Sequence, residues 1–327
     1  MNRTLICFHA CLLSSVCLGA DLPLGDGTAV HFASASEGRK ILMTRDDFVQ
    51  RLSPFDRAAR LKVDHQVSEE EYLNFAGKNT SDWTDQEAEA AKTAIEKLRP
   101  LLTRFPLSLP PIIQMIKTTG AEEGNAAYTR ASAIILPKSD LAKRQSELMK
   151  LFSHELFHVL SRHNPDLKER LYEAIGFIQC DEIEFPRELA SRKITNPDAP
   201  KNDHFIRLTV RGEQVLAVPI LFSTAEVYDA KKGGEFFEYL NFQFLVMKTT
   251  EAPKRLVAVY EDSKPKLIGP KEASGFFEQI GRNTQYIIHP EEILAENFSL
   301  LILKEENAPS PEVLEKISTI LAEAKKP

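Results

Sequence analysis

The chain is poor in cysteine. It holds four in 327 residues, and Cys7, Cys11 and Cys17 all fall within the first twenty. With that segment set aside only Cys180 remains, so an internal disulfide is excluded and stability must come from the core and any bound metal. Cys180 itself reads as a small core residue, since no cysteine-protease context surrounds it. No basic run stands out, and the net charge is -6 with a pI near 5.8. That balance argues against nucleic acid as a partner. Internal repeats and low-complexity tracts are absent too, which removes solenoids and disordered arrays. Beyond the first twenty residues no apolar run reaches the length of a membrane span, so none is expected in the mature chain.

What is present begins at the N-terminus. Arg3, the mostly apolar stretch Leu5 to Leu18, and Gly19-Ala20 before polar Asp21 make a charged, an apolar and a small-residue region in sequence. This is the pattern of a signal peptide, and it predicts an exported protein, periplasmic or extracellular, cut near Ala20 or after Gly19. Hydrophobic residues at 43% and charged residues at 27% are ordinary globular values. The length allows one large or two ordinary domains.

The spacing divides the rest into four regions. Residues 21–105 read as mainly helical, with capping boxes at Ser68-Glu69-Glu70-Glu71 and Thr84-Asp85-Gln86-Glu87. Residues 106–180 hold two strand candidates, Ile112 to Lys117 and Ala126 to Leu136. A long helix follows from Asp140 to about His163, with Ser139 as its cap. Residues 181–273 are rich in strand signals, among them a hairpin turned at Arg211-Gly212. Residues 274–327 close the chain with helices opened by Pro290 and Pro311, the second capped by Ser310.

The long helix carries His154-Glu155-Leu156-Phe157-His158. Histidines four apart share one helix face, so both imidazoles can reach a single metal ion. The glutamate beside the first is placed to take a proton from water activated at that metal. Two partly buried helix histidines with a surface glutamate would be the plain alternative. A catalytic zinc usually takes a third protein ligand and leaves one position open. A third histidine ten residues after the first, as in the metzincins, is missing, because Asn164 stands there and Ser161 replaces the glycine of that pattern. A later helix supplies Glu292 and Glu296, four apart on one face among Ile293, Leu294 and Leu300. Inward acidic residues beside an apolar helix are costly unless paired or coordinated. First-turn placement at the helix dipole accounts for Glu291 and partly for Glu292, but not for Glu296.

His154-Glu155-Leu156-Phe157-His158 together with Glu292-Ile293-Leu294-Ala295-Glu296-Asn297-Phe298 resembles the gluzincin type of zinc metallopeptidase, to which thermolysin and anthrax lethal factor belong. The resemblance covers about forty residues in two places. It implies Zn2+ held by His154, His158 and Glu292, with Glu296 orienting a ligand histidine and Glu155 as general base. The fold it implies is α+β: a zincin-like catalytic core with a small antiparallel sheet, an N-terminal helical part and a β-rich insertion between the two metal-binding helices.

The partner expected is a peptide or protein substrate, and the Tyr128 to Leu136 strand could pair with it as a sheet edge. Tyr286 and His289, just before the second helix, are candidate donors to a developing oxyanion, with Tyr128 and Arg130 behind them. Packing or capping is the competing role for both. Two further functions stay open: a secreted binding or scaffolding protein that retains a zincin core without catalysis, and a zinc hydrolase of a non-peptide substrate.

Overall fold

The structure is a computed structural model that describes residues 21–25, 27–252 and 254–324. The first twenty residues, expected to be a signal peptide and holding three cysteines, lie outside the described residues. The fold is mixed α+β, and among the described residues no helix is long and apolar enough to cross a membrane.

The first sheet is mixed rather than antiparallel. The strands β1 (Leu22–Gly25) and β2 (Thr28–Phe32) form a hairpin at one edge; β3 (Thr80–Ser81) pairs with the end of the central strand β4 (Ile112–Thr118). At the other edge stand β5 (Tyr128–Arg130) and β6 (Ala133–Pro137), in the order β1-β2-β4-β6-β5. β2 and β6 both run parallel to β4. A parallel neighbour needs a crossover, and the helices α1 (Ala35–Leu42), α2 (Pro54–Leu61), α3 (Glu69–Lys78) and α4 (Asp85–Leu102) supply it between β2 and β4. The front region is therefore woven into the sheet.

The segment expected as one strand from Ala126 to Leu136 is a β5–β6 hairpin. Its turn places Ala131 at φ 51°, a conformation that a non-glycine residue seldom adopts and that no turn residue in the sequence announces. Arg162 Nη1 donates to the Ala131 carbonyl at 2.8 Å and holds the turn from the motif helix.

That helix, α5 (Gln145–His163), starts later than expected. Asp140–Ala142 forms a separate 3-10 turn, Lys143 and Arg144 are extended, and Ser139 makes no side-chain cap. The Arg144 amide instead donates to Glu147 Oε2 at 3.0 Å. α6 (Pro165–Ala174) follows directly and leads into a second, antiparallel sheet. It contains β7 (Phe177–Gln179), β8 (His204–Val210), β9 (Glu213–Ser223), β10 (Leu240–Thr249) and β11 (Leu256–Ala258). A short helix, α7 (Arg187–Ala190), lies in the β7–β8 loop; β12 (Tyr260–Glu261) and β13 (Lys264–Pro265) form a ribbon, and β14 (Leu267–Ile268) pairs with β10. The β8–β9 turn uses positive φ at both Arg211 and Gly212, as a two-residue hairpin requires.

The last helices are α8 (Phe276–Ile280), α9 (Pro290–Leu303) and α10 (Pro311–Ala322). Ser310 does not cap α10 with its side chain; its Oγ accepts from the Arg282 amide at 3.0 Å instead.

One core joins α4, α5, α9 and α10 to both sheets. α4 turns Ala88, Ala91, Ala94, Ile95 and Leu98 inward, and the three alanines at helical spacing let it lie close to α5. α5 and α9 approach through small side chains as well. Ser153 and Ser299 meet Oγ to Oγ at 2.5 Å, and Phe157 packs on Phe298 with ring centroids 5.5 Å apart. The second sheet divides its side chains between two apolar clusters, one on each face, by the strand period of two. Ile206, Leu208, Ala217 and Phe244 enter the shared core, while Phe205, Val218, Ile220 and Leu245 form an outer cluster with buried Cys180.

Candidate metal centre

The close crossing of α5 and α9 brings the two motifs face to face. His154 and His158 sit one turn apart on α5, ring centroids 4.9 Å from each other. Glu292 Oε2 lies 3.1 Å from His154 Nε2 and 3.6 Å from His158 Nε2. The three donor groups fall within the span of a single metal ion. Each histidine turns its other nitrogen to a carboxylate of α9. His158 Nδ1 is 3.2 Å from Glu291 Oε1, and His154 Nδ1 is 3.2 Å from Glu296 Oε1, though off hydrogen-bond alignment. When the rings are neutral, as metal ligation requires, carboxylates behind both select the tautomer that leaves Nε2 with its lone pair toward the centre.

The fit to a divalent cation can be judged from the unpaired atoms. His158 Nε2 and Glu155 Oε2 are buried and have no hydrogen-bond partner. Glu155, Glu291 and Glu292 are all buried, and Asp198 stands within the same cluster as Glu155 and His158. So many carboxylates in one dry place need positive charge among them. The proton affinities express the same demand. Burial pulls His154 down, but hydrogen bonding to Glu292 and the Glu296 carboxylate outweigh it and lift the ring to about 9. Burial also opposes the charge on His158, yet Asp198 and Glu292 hold it well above its ordinary value. Burial favours the neutral form of Glu292, and the two histidines overcome it and keep that carboxylate ionised. Two imidazoles and a carboxylate facing one another are a borderline-soft donor set that suits zinc.

Glu155 is in place beside the cluster. Burial, reinforced by the negative charge of Asp198, raises its carboxyl to about 8. An open cleft of about 450 Å³ runs over His154 and Glu155, lined by Asn125, Ala126, Ala127, Lys150 and Tyr286 among others. Tyr286 stands at its lip, 41% exposed, with its ring 6.5 Å from that of His154. Desolvation and the charge of Glu292 push its hydroxyl well above the usual value, so it stays protonated and able to donate.

His289 is placed differently. It caps α9, its Nδ1 accepting from the Glu291 amide at 3.1 Å. Burial drives it down to about 4, so the ring is neutral, as a hydrogen-bond acceptor must be. It does not line the cleft over Glu155. Tyr128 and Arg130 are also engaged elsewhere: both are buried, and Arg130 pairs with Asp46. The outward amide of β5 at Thr129 donates to Asp198 Oδ1 at 2.7 Å, so that part of the edge is not free for a peptide.

Three groups at the centre escaped the sequence reading. Glu291 looked like a dipole-favoured first-turn residue but is buried, accepting from Ser161 Oγ at 2.9 Å and Tyr172 Oη at 2.5 Å as well as facing His158. Asn196 donates to Glu292 Oε1 at 2.6 Å, and Asp198 adjoins Glu155. Both lie in a Pro-containing loop whose composition reads as a turn, and no spacing rule links them to α5 or α9.

No protein-family model matches the chain, and no curated protein or solved structure matches it either. The functional reading therefore rests on the geometry of the chain itself.

Proposed function

We propose that the chain is an exported zinc-dependent peptidase with a zincin-like core, in which His154, His158 and Glu292 hold the metal. The observation that carries this reading is the convergence of two imidazole Nε2 atoms on Glu292 Oε2, with a carboxylate behind each ring. A purely structural zinc usually has four protein ligands and needs no base beside it, whereas here Glu155 adjoins a three-ligand set. Zinc bound there would serve as a Lewis acid toward water and the scissile carbonyl.

The residues then divide the work. Glu155 accepts a proton as water oxygen attacks the carbonyl carbon, its buried Oε2 having no other hydrogen-bond partner. That proton passes to the amide nitrogen as the C–N bond breaks. Tyr286 Oη donates toward the negative charge that grows on the carbonyl oxygen. The open trough beside Asn125–Ala127 suits an extended chain better than a small enclosed ligand.

The test is a cleavage screen on proteome-derived peptides with the purified mature chain, with and without chelator, beside Glu155→Gln. Metal-dependent cleavage by the wild type and none by a zinc-loaded Glu155→Gln supports the proposal. Full activity in that variant, or no zinc in the wild type, overturns it.

A further inference from the structure

The two helices supply the donor atoms, but neither fixes which oxygen of Glu292 faces the histidines. That is settled by a third element, the strap of residues 194–198 between α7 and β8. Asn196 Nδ2 donates to Glu292 Oε1 at 2.6 Å, while Oε2 is the oxygen turned to both imidazoles. The Asn196 amide is itself oriented. Its Oδ1 accepts from the Asp198 amide at 2.9 Å, so the NH2 group can point only at the carboxylate.

The strap has a foundation far from the cleft. The Thr195 amide donates to Asp56 Oδ2 at 2.9 Å, and Arg60 Nη2 donates to the Thr195 carbonyl at 3.2 Å. Arg60 is fully buried in α2, bridging Asp56 at 2.5 Å and Glu123 at 2.6 Å. Thr195 Oγ1 also donates to the Arg51 carbonyl, and the Ile194 amide to that of Leu221, at 2.9 Å each. On the far side, Arg162 of α5 donates to the Asp198 carbonyl at 3.1 Å. The backbone on both sides of Asn196 is thus pinned to α2, β9 and α5. A side chain held this firmly, with its amide NH2 turned to a buried carboxylate, resembles an outer partner of a metal ligand more than a loop residue.

We infer that Asn196 is a positioning residue for the metal centre, holding Glu292 Oε1 so that Oε2 alone meets the ion. The inference rests on the zinc reading above. It assigns to the strap, and behind it to Arg60, the task of presenting the third ligand in one orientation. Removing such a partner costs about 10–100-fold in metal affinity.

The experiment compares zinc affinity, by competition with a chromogenic chelator, for the wild type, Asn196→Ser and Asn196→Ala, alongside the melting temperature of each zinc-free protein. Serine can still accept from the Asp198 amide and keep the turn, but it is too short to reach Glu292. Asn196→Ser should lose about 10–100-fold in zinc affinity while melting close to the wild type. With Co2+ in place of zinc, its visible bands should change, because the ligand field senses how the carboxylate is held. A zinc affinity within threefold of the wild type in Asn196→Ser overturns the inference. So does a loss seen only in Asn196→Ala and in step with its zinc-free melting temperature, which would mark a turn residue. A wild type that binds no zinc sinks the metal reading and this inference with it, whereas a zinc-binding wild type with unaltered variants sinks only the inference.

Discussion

His158 Nδ1 lies 3.2 Å from Glu291 Oε1, with both residues buried at the crossing of α5 and α9. The contact joins the second histidine of the motif to the residue before Glu292, its fellow ligand in the proposed centre. Glu291 holds that place because His289 and Pro290 begin α9 one residue earlier, and because Ser161 and Tyr172 offer it two hydroxyl donors. One carboxylate thus orients the His158 ring and satisfies two buried hydroxyls at once.

Glu291→Ala should therefore act on both metal and fold. Zinc affinity is expected to fall about 10–100-fold, as for other outer partners of ligand histidines. Stability should fall by about 1–3 kcal/mol, because the Ser161 and Tyr172 hydroxyls are left buried without their acceptor. Glu296→Ala should be milder, since Glu296 is half-exposed, pairs also with Lys150, and meets His154 Nδ1 off alignment. Chelator competition and urea melts on both variants would measure this. A larger zinc loss in Glu296→Ala than in Glu291→Ala would contradict the ranking.

Much of this centre was legible in the sequence, and the reasons are local. His154, Glu155 and His158 sit within five residues, so helical periodicity alone sets their shared face. Glu292 and Glu296 stand out because α9 is mostly apolar around them, with Ile293, Leu294, Ala295 and Phe298, which makes an inward carboxylate conspicuous. Glu291 was hidden by its neighbours, since a first-turn glutamate already has a sufficient local reason to be there. Asn196 and Asp198 were hidden by distance: their place depends on the Asp56–Arg60–Glu123 network, which no periodicity foretells. The sheet misled for a related reason. Ala131 turns the chain at positive φ without glycine or asparagine, and the parallel pairing of β2 with β4 spans four helices.

Tyr286→Phe tests the donor at the cleft lip. The residue is 41% exposed and its hydroxyl holds no structural hydrogen bond among the described residues, so the melting temperature should stay near that of the wild type. If the hydroxyl stabilises the oxyanion, kcat should fall about 10²–10³-fold with little change in KM. Steady-state kinetics on a peptide found in the cleavage screen would decide. An unchanged kcat would remove Tyr286 from the mechanism and leave the metal site untouched.

Arg60 presents a different case, an ion network with no access to solvent. Arg60→Met would leave Asp56 and Glu123 buried without their cation, at a cost of about 3–5 kcal/mol. The triple replacement Arg60→Met, Asp56→Leu, Glu123→Leu should recover much of that stability, because the unpaired charges go with it. It should not recover zinc affinity, since the Thr195 amide loses Asp56 as its acceptor and the strap its anchor. Denaturant melts and chelator competition on the two proteins separate stability from positioning. A triple variant with wild-type zinc affinity would show that the strap holds its place without the network.

Glu122 provides a pH test away from the His154–His158–Glu292 cluster. It is fully buried in the 3-10 turn Ala121–Glu123, and neither carboxylate oxygen has a hydrogen-bond partner. Burial raises its carboxyl to about 7. The unfolded chain gives up this proton near pH 4.5 and the folded chain only near 7, so between those values the folded state binds more protons. Its contribution to stability is complete below about pH 4.5 and is lost as pH rises through 7, by roughly 3 kcal/mol in all. Glu122→Gln stays neutral throughout and lacks this slope. The variant should melt close to the wild type at pH 5 and clearly above it at pH 8. Equal melting temperatures at pH 8 would mean that the Thr118 and Tyr128 hydroxyls, which favour the ionised carboxylate, fully offset its burial and the charge of Glu123.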